Sequence, residues 1–477
     1  MALLRCVNCS RKTESDELSV SCPRCGSAVV LEGGGRYRPS REQLEGAPSG
    51  VWRYRAFLPD LPDDEIVSLG EGGTPLLPAR RLGAELGLPN LLVKDESRNP
   101  TGSFIDRGST VLASLARRRG VEECSCITTG NLGASLAAYC AKAGMGARVT
   151  IDPSTDRGKL YQMLAFGATI QARSMRPQPA SGRHTLSVNA GNPYLLEGEK
   201  TTGFEIVHDL NWSVPDVIVV PVGTGGHLSM TWRAIEQLKE SGLVDPGRCR
   251  LLGVQLAESA QPGRPIHGGD GGTARAPFTE LEESEPYFRK EAARAIKASG
   301  GAGLLTTAAE TVNATGLLAR TEGIFAEPAS ASVVACLRSA LERGQIRRDD
   351  VIVCVITSAG LKDTKAVSRL ARFAKPVSVR QDYTVARIQV GETKLALLRL
   401  LEGRKRYGYE LWQGLSLGRR ITTASVYQHL GELEELAVAR KAGVVTVRGR
   451  ERILYELTKK GQDLLRVAGE VERGAGM

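Results

Sequence analysis

Residues 93–109 read VKDESRNPTGSFIDRGS, and the succession of residue types in this stretch decides the fold. Leu91, Leu92 and Val93 form the end of an apolar, strand-like run, and Asn99-Pro100-Thr101-Gly102 is turn chemistry. After Ser103, Val111, Leu112 and Leu115 recur at three and four residues, the period of a helix. A strand, a glycine-containing turn and a helix in that order place backbone amides at a helix N-terminus, where anions bind. Outward from this point, residues 51–375 alternate apolar runs with helical patterns, as in a doubly wound α/β protein of two subdomains. Val217–Val222 reads as a buried strand ending at Gly223-Thr224-Gly225-Gly226-His227-Leu228. Glycines there let successive N–H groups converge on a phosphate, or simply allow a tight crossover, and the spacing is not the dinucleotide GxGxxG. Asn131, in the loop Thr128-Thr129-Gly130-Asn131, precedes a helical run, 134–143, and by itself reads as an N-cap, a role compatible with a second contact.

Five motifs carry a family resemblance. They are Leu69–Leu76 (LGEGGTPL), Asn99–Gly108 (NPTGSFIDRG), 153–168 (PSTDRGKLYQMLAFGA), Glu197–Thr202 (EGEKTT) and Glu322–Ala331 (EGIFAEPASA). With the stretch Thr357–Asp363, which follows the strand 351–356, the region resembles the threonine synthases. These are pyridoxal-phosphate (PLP) enzymes of fold type II, tryptophan synthase β-like in architecture. The resemblance implies that Gly223, Thr224, Gly225 and Gly226 hold the cofactor phosphate, that Asn131 lies against the ring oxygen, and that Thr357 meets the pyridine nitrogen. The family motif has a lysine, the Schiff-base residue and proton shuttle, where this chain has Ile105. Isoleucine has no nitrogen and no titratable group, and proton transfer alone is worth about 10²–10⁴ in rate. PLP, if bound, is therefore expected to be non-covalent. Lys94, Lys159 and Lys200 match other family lysines and do not read as replacements. Ser358 stands where the family has glycine, and residues 262–301 match the family poorly.

Both ends add a module. Cys6-Val7-Asn8-Cys9 and Cys22-Pro23-Arg24-Cys25 form two CxxC knuckles that can direct four thiolates to one tetrahedral structural Zn, so residues 1–32 read as a zinc ribbon. Similar ribbons precede the catalytic region in some archaeal-type threonine synthases. The remaining six of the ten cysteines lie scattered in apolar segments, which suits reduced thiols. Residues 33–50 and 380–393 read as linkers. Residues 394–470 resemble a PadR-like winged helix-turn-helix, with helices at 395–401, from 407 and at 423–436, then two strands flanking Arg448-Gly449-Arg450-Glu451-Arg452. That resemblance makes Thr423, Ser425, Gln428 and His429 candidate base readers and Arg448, Arg450 and Arg452 candidate phosphate or minor-groove contacts. The alternative is a dimerisation module. From 380 to 477, eighteen Lys/Arg face twelve Asp/Glu, a surplus that suits double-stranded DNA.

No run approaches the roughly 20 apolar residues of a membrane span, and MALLRCVNC lacks a secretory h-region, so a cytoplasmic protein, a homodimer by its regulator-like end, is expected. Three readings follow from Ile105. The favoured one is a pseudoenzyme: a domain sensing a small phosphate-bearing or amino-acid ligand, coupled to a winged-helix transcriptional regulator. The second is an active threonine synthase or related PLP lyase or replacement enzyme, converting O-phosphohomoserine to threonine and phosphate, with an accessory DNA-binding domain. The third is a lysine deliberately replaced to trap a ligand.

Overall fold

Apolar runs with no polar alternation pair into parallel strands buried on both faces. Val217–Pro221 and Ile352–Ile356 are buried at every position and lie side by side, with Leu91–Asp95 on the far flank of the latter. These are the central strands of a six-stranded sheet whose order is Ala302–Thr306, Arg250–Leu256, Val217–Pro221, Ile352–Ile356, Leu91–Asp95, Leu76–Pro78. All pairings are parallel except that of the edge strand Leu76–Pro78. A second, wholly parallel sheet runs Thr169–Ala172, Gly146–Ile151, Glu123–Thr128, Thr185–Val188. In this computed structural model the described residues are 1–33, 38–128, 130–152, 155–172, 184–245, 247–257, 288–364, 393–416, 421–447 and 449–465. The chain divides into two units, Met1–Phe373 and Ala374–Met477.

The helix Asp106–Arg118 leaves the larger sheet for the smaller one and is buried from Asp106 through Ala116. An all-round buried helix must satisfy its hydroxyls internally. Thr110 Oγ1 accordingly donates to the Val67 carbonyl (2.7 Å), and Ser114 Oγ to the Thr110 carbonyl (2.7 Å). Small residues bring its neighbour close: a Cβ on Gly198 would stand 1.9 Å from the Arg107 carbonyl oxygen, so Pro193–Glu199 packs backbone to backbone.

The N-terminal residues form a three-stranded antiparallel sheet, Lys12–Ser15, Ala2–Cys6, Val29–Leu31. It is fastened to the first unit by Arg5, which bonds both Glu291 carboxylate oxygens (3.0 and 3.3 Å), and by Asn192 Nδ2 donating to the Leu18 carbonyl (2.7 Å). The stretch expected as a linker after residue 33 holds a helix, Arg41–Gly46. Its capping box, Ser40 with Gln43, spends two N-terminal amides and overrides the weak periodicity of six residues. The other expected linker lies, from 380 to 392, outside the described residues.

The second unit has a helix over residues 393–400, then Gly408–Ser416 and Thr423–Glu435. A three-stranded antiparallel sheet follows, ordered Arg406–Tyr407, Arg450–Leu457, Ala439–Val447. Val426, Leu430 and Leu433 are the buried stripe of the third helix, packed with Leu398, Leu411 and Tyr455.

The strand Leu91–Asp95 and helix Asp106–Arg118 are tied by one guanidinium. Arg107, fully buried, donates to both oxygens of Glu96 (2.6 and 2.8 Å) and both of Glu205 (2.6 and 2.8 Å), and to Thr74 and Thr201 hydroxyls (2.9 and 3.1 Å). Lys94 adds a second cation, 2.9 Å from Glu205 and 2.8 Å from Asp209. Burial by itself lowers the Arg107 pKa, but the Glu205 and Glu96 carboxylates hold it well above its ordinary value. Burial likewise works to raise Glu96, and the guanidinium overrides it. Replacing Arg107 by methionine strands two buried carboxylates and is expected to cost about 3–5 kcal/mol. Urea unfolding followed by the fluorescence of Trp52, Trp212 and Trp232 measures it; an unshifted midpoint would contradict this account of the network.

Candidate functional site

Ligands of open α/β sheets sit beyond the C-terminal ends of the strands. Here Leu91–Asp95 leads to Ile105, Ile352–Ile356 to Thr357, Val217–Pro221 to residues 223–226, and Glu123–Thr128 to Asn131. The first three strands are adjacent, so residues 250 positions apart in sequence converge. Phe104 N–H donates to the Thr357 carbonyl (2.9 Å), and Ser103 and Ser358 form an antiparallel bridge.

Ile105 is half-buried, begins the helix in αR geometry, and packs against the apolar cluster of the smaller subdomain. Its neighbours are tightly held. Asp106 is buried, accepts from Thr101 N–H and Oγ1 (2.6 and 2.7 Å) and from Ser135 (2.6 Å), and burial raises its pKa. With Arg107 on its other side, the backbone at residue 105 is clamped whatever side chain it carries.

Asn131 is the first residue of the helix Asn131–Ala143, and Gly130 holds the N-cap position, so the N-cap reading is corrected. Its side chain turns inward instead. Nδ2 donates to Glu327 (3.0 Å) and to Ser358 Oγ (3.3 Å), while the buried Oδ1 has no partner. Glu327 also pairs with Lys159 (2.8 Å), whose stem covers Gly130; a Cβ there would stand 2.2 Å from Lys159 Cδ. Thr357 Oγ1 and Ser330 Oγ share a hydrogen bond (2.7 Å), and Ser358 Oγ donates to Ser103 Oγ (3.2 Å). Ser358 therefore links three parts of the site. Glu327, Ser330 and Lys159 lie within motifs visible in the sequence, but nothing in a linear motif assigns them to one cluster.

The glycine-rich loop opens a fifteen-residue helix, Gly226–Glu240. The amides of Gly223, Thr224 and Gly225 donate to no group among the described residues, which leaves three donors for an anion at a helix N-terminus. Next to it, His227 stacks on Phe104 (ring centroids 4.1 Å apart), and burial lowers its pKa to about 4. Lys94 and Lys200 are both fully buried in ion pairs, the latter with Glu197 at 2.5 Å.

In the N-terminal sheet the ligand atoms of Cys6, Cys9, Cys22 and Cys25 all lie within 4.8 Å of one another. Two sulfur separations are 3.5 and 3.6 Å, close to the about 3.8 Å edge of a tetrahedron with Zn–S of 2.3 Å. Hydrogen bonding with the side chain and backbone of Ser27 lowers Cys25 to about 6, toward the thiolate that metal binding needs. In the second unit Thr423 and Gln428 are exposed on the third helix, and Ser425 and His429 half-buried. Gln428 and His429 both bond Glu432 (3.1 and 3.4 Å), a tether the residue types did not reveal. Arg452 lies on the second wing strand opposite Val445. Arg448 and the side chain of Arg450 lie outside the described residues.

The model of a family described as pyridoxal-phosphate dependent enzymes matches residues 67–358, and that of the PadR-like transcriptional regulators matches residues 397–467. The threonine synthase of Methanocaldococcus jannaschii is 38% identical over 403 residues, covering 80% of this chain and 98% of that protein. The threonine synthase of Methanosarcina acetivorans is 35% identical over 385 residues, 76% of this chain and 93% of that protein. The processed form of threonine deaminase isoform 2 from Solanum lycopersicum shares the fold, with a TM-score of 0.53 at 16% identity over 69% of this chain and 96% of that one. Among the described residues no helix is long and apolar enough to cross a membrane.

Proposed function

From the premise that this chain belongs to the pyridoxal-phosphate dependent enzymes, is threonine-synthase-like, and carries a PadR-like domain, we propose that it is a ligand-sensing pseudoenzyme coupled to a DNA-binding regulator. The observation that carries this reading is an intact, rigid frame around a position with no amine. Arg107 and Asp106 hold the backbone on one side of Ile105, and Ser103 and Phe104 on the other. The remaining residues fit the cofactor non-covalently. The unspent amides of Gly223, Thr224 and Gly225 suit its phosphate, the Asn131 side-chain amide, donating through its NH2, suits the ring oxygen, and the Thr357 hydroxyl suits the pyridine nitrogen. When bound, PLP supplies an electron sink for carbanion chemistry. This chain's residues bind and orient it, while Ile105 holds no proton and excludes water from the place where a base would act.

The alternative is an active threonine synthase or related enzyme, and one feature favours it: Lys159 is a buried amine joined through Glu327 to Asn131. Its ion pair with Glu327 opposes this, since a nucleophilic amine must first be released from its carboxylate. Full-length natural protein and Ile105→Lys are incubated with PLP, reduced with borohydride and mapped by peptide mass. Cofactor is expected to be fixed only in the variant, at residue 105, with O-phosphohomoserine turnover at least about 100-fold above that of the natural protein. Cofactor fixed to Lys159 in the natural protein, with turnover, would establish the alternative.

The four N-terminal cysteines are read as a closed structural zinc site that anchors the sheet carrying Arg5. Protein purified without chelators is expected to hold about one Zn per chain, and Cys22→Ser to lose it and expose the N-terminus to proteolysis. Metal-free protein with a protected N-terminus would remove this reading.

The PadR-like domain is read as binding double-stranded DNA as a homodimer, with half-sites about one helical turn apart. Thr423, Ser425, Gln428 and His429 are assigned to bases, which requires Gln428 and His429 to leave Glu432, and Arg448, Arg450 and Arg452 to the backbone. A ligand shifts DNA affinity only by its differential affinity for two states, so occupancy by PLP, threonine or O-phosphohomoserine is expected to change it roughly 5- to 150-fold. Arg452→Ala should reduce the salt slope by about one phosphate contact. DNA titrations at fixed salt, with and without each ligand, measure both. An unchanged isotherm removes the coupling, and no binding at any salt leaves a dimerisation module.

A further inference from the structure

Outside the site described above, a cavity of about 560 Å³ lies where the N-terminal sheet meets the helices Gly226–Glu240 and Arg289–Ser299, a size suited to a small molecule. The first helix contributes Met230, Arg233, Gln237 and Glu240, three or four residues apart and so on one face. Three of these have unspent polar capacity. The Oε1 of Gln237, a residue only 9% exposed, is buried without a hydrogen-bond partner. Arg233 makes one loose ion pair, 3.8 Å from Glu197, and is attracted electrostatically by Glu236, but donates no hydrogen bond among the described residues. Glu240 has no ion pair among them. Arg5, by contrast, is fully engaged by Glu32 and Glu291.

The charges select the ligand class. The lining holds four arginines and four glutamates, so a polyanion gains no net attraction, whereas a zwitterion finds both signs within one cavity. Trp232, Met230 and Ala295 add an apolar wall. We propose that this cavity binds a free α-amino acid with an apolar side chain. Its carboxylate pairs with Arg233, its ammonium is taken by Gln237 Oε1 and Glu240, and its side chain lies on Met230 and Ala295.

The site has a direct mechanical line to the glycine-rich loop. One of its two helices begins at Gly226, and the other begins after Phe288, whose N–H donates to the Thr224 carbonyl (2.9 Å). A Cβ on Gly225 would stand 3.1 Å from the Phe288 backbone, so the two helix starts are in contact and cannot shift independently. An occupant that sets the spacing of the helices therefore sets the loop, and by linkage its binding and that of a phosphate at the loop alter each other. This second site does not depend on whether residue 105 supports catalysis.

Calorimetric titration of the full-length, metal-replete protein tests it, with L-leucine as the probe and L-leucinamide and N-acetyl-L-leucine as analogues lacking one charge each. L-leucine is expected to bind, and each analogue, as well as L-leucine to Arg233→Met or Gln237→Leu, to bind about 10-fold or more weakly, the scale of one charge-assisted hydrogen bond. Asn131→Ala, in the other site, should leave L-leucine binding unchanged, and saturating L-leucine should shift the affinity for PLP about 5-fold or more. No binding of L-leucine or L-methionine, equal binding of the analogues, or loss of binding in Asn131→Ala with retention in Arg233→Met would overturn the proposal. If the cavity variants fail to fold by circular dichroism, the analogue series on the natural protein decides it alone.

Discussion

A buried guanidinium surrounded by two buried carboxylates is the constraint on which the first unit depends. Arg107 comes from the helix Asp106–Arg118, Glu96 from the turn after Leu91–Asp95, Glu205 from the helix Thr201–Asp209, and Thr74 from the opening motif. A buried ion pair is weak evidence for net stability, because desolvation offsets much of the attraction. Its value here is specificity. Four segments must arrive together for the donors of the guanidinium to be used and for both buried carboxylates to be paired. Lys94 and Asp209 extend the network to the sheet and to its surface.

The same constraint explains how the position of Ile105 can tolerate an apolar residue. In a loop held by its own side chains, replacing a polar group by isoleucine would alter the path of the chain. Here Asp106 and Arg107 hold the helix start, and Ser103 and Phe104 are bridged to residues 357 and 358, so residue 105 contributes little to its own placement. Chemistry and architecture are separable at this point.

The glycine-rich loop occupies a similar junction. It follows the strand Val217–Pro221, starts the helix Gly226–Glu240, and is braced by Phe288 from the next helix. The N-terminal sheet reaches these helices through Arg5 and Glu291. Residues close to the cysteine cluster are thus connected to the loop by two rigid rods, and helices transmit displacement because packed interiors do not compress.

Much of this was legible in the sequence. Parallel strands buried on both faces appear as unbroken apolar runs, so Val217–Pro221 and Ile352–Ile356 could be recognised, and the CxxC pairs of Cys6, Cys9, Cys22 and Cys25 declared a cluster by spacing alone. The helix Thr423–Glu435 was readable from the period of Val426, Leu430 and Leu433 and from Thr422 as its cap. The capping box at Ser40 is equally local, but the six residues it opens are too few to show a helical period. What the sequence by itself determined were features set by short-range chemistry: periodicity, turn residues, caps and the identity of residue 105. Only the tertiary structure decided which side chains share an environment. It turned Asn131 from a cap into a partner of Glu327 and Ser358, spent Lys94, Lys159 and Lys200 in ion pairs, and left Gln237 without a partner beside Arg233. All of those outcomes depend on burial, and the contacts of Asn131, Lys94 and Lys159 span a hundred or more positions; a dielectric environment is a property of the folded surroundings rather than of any residue's neighbours in the chain.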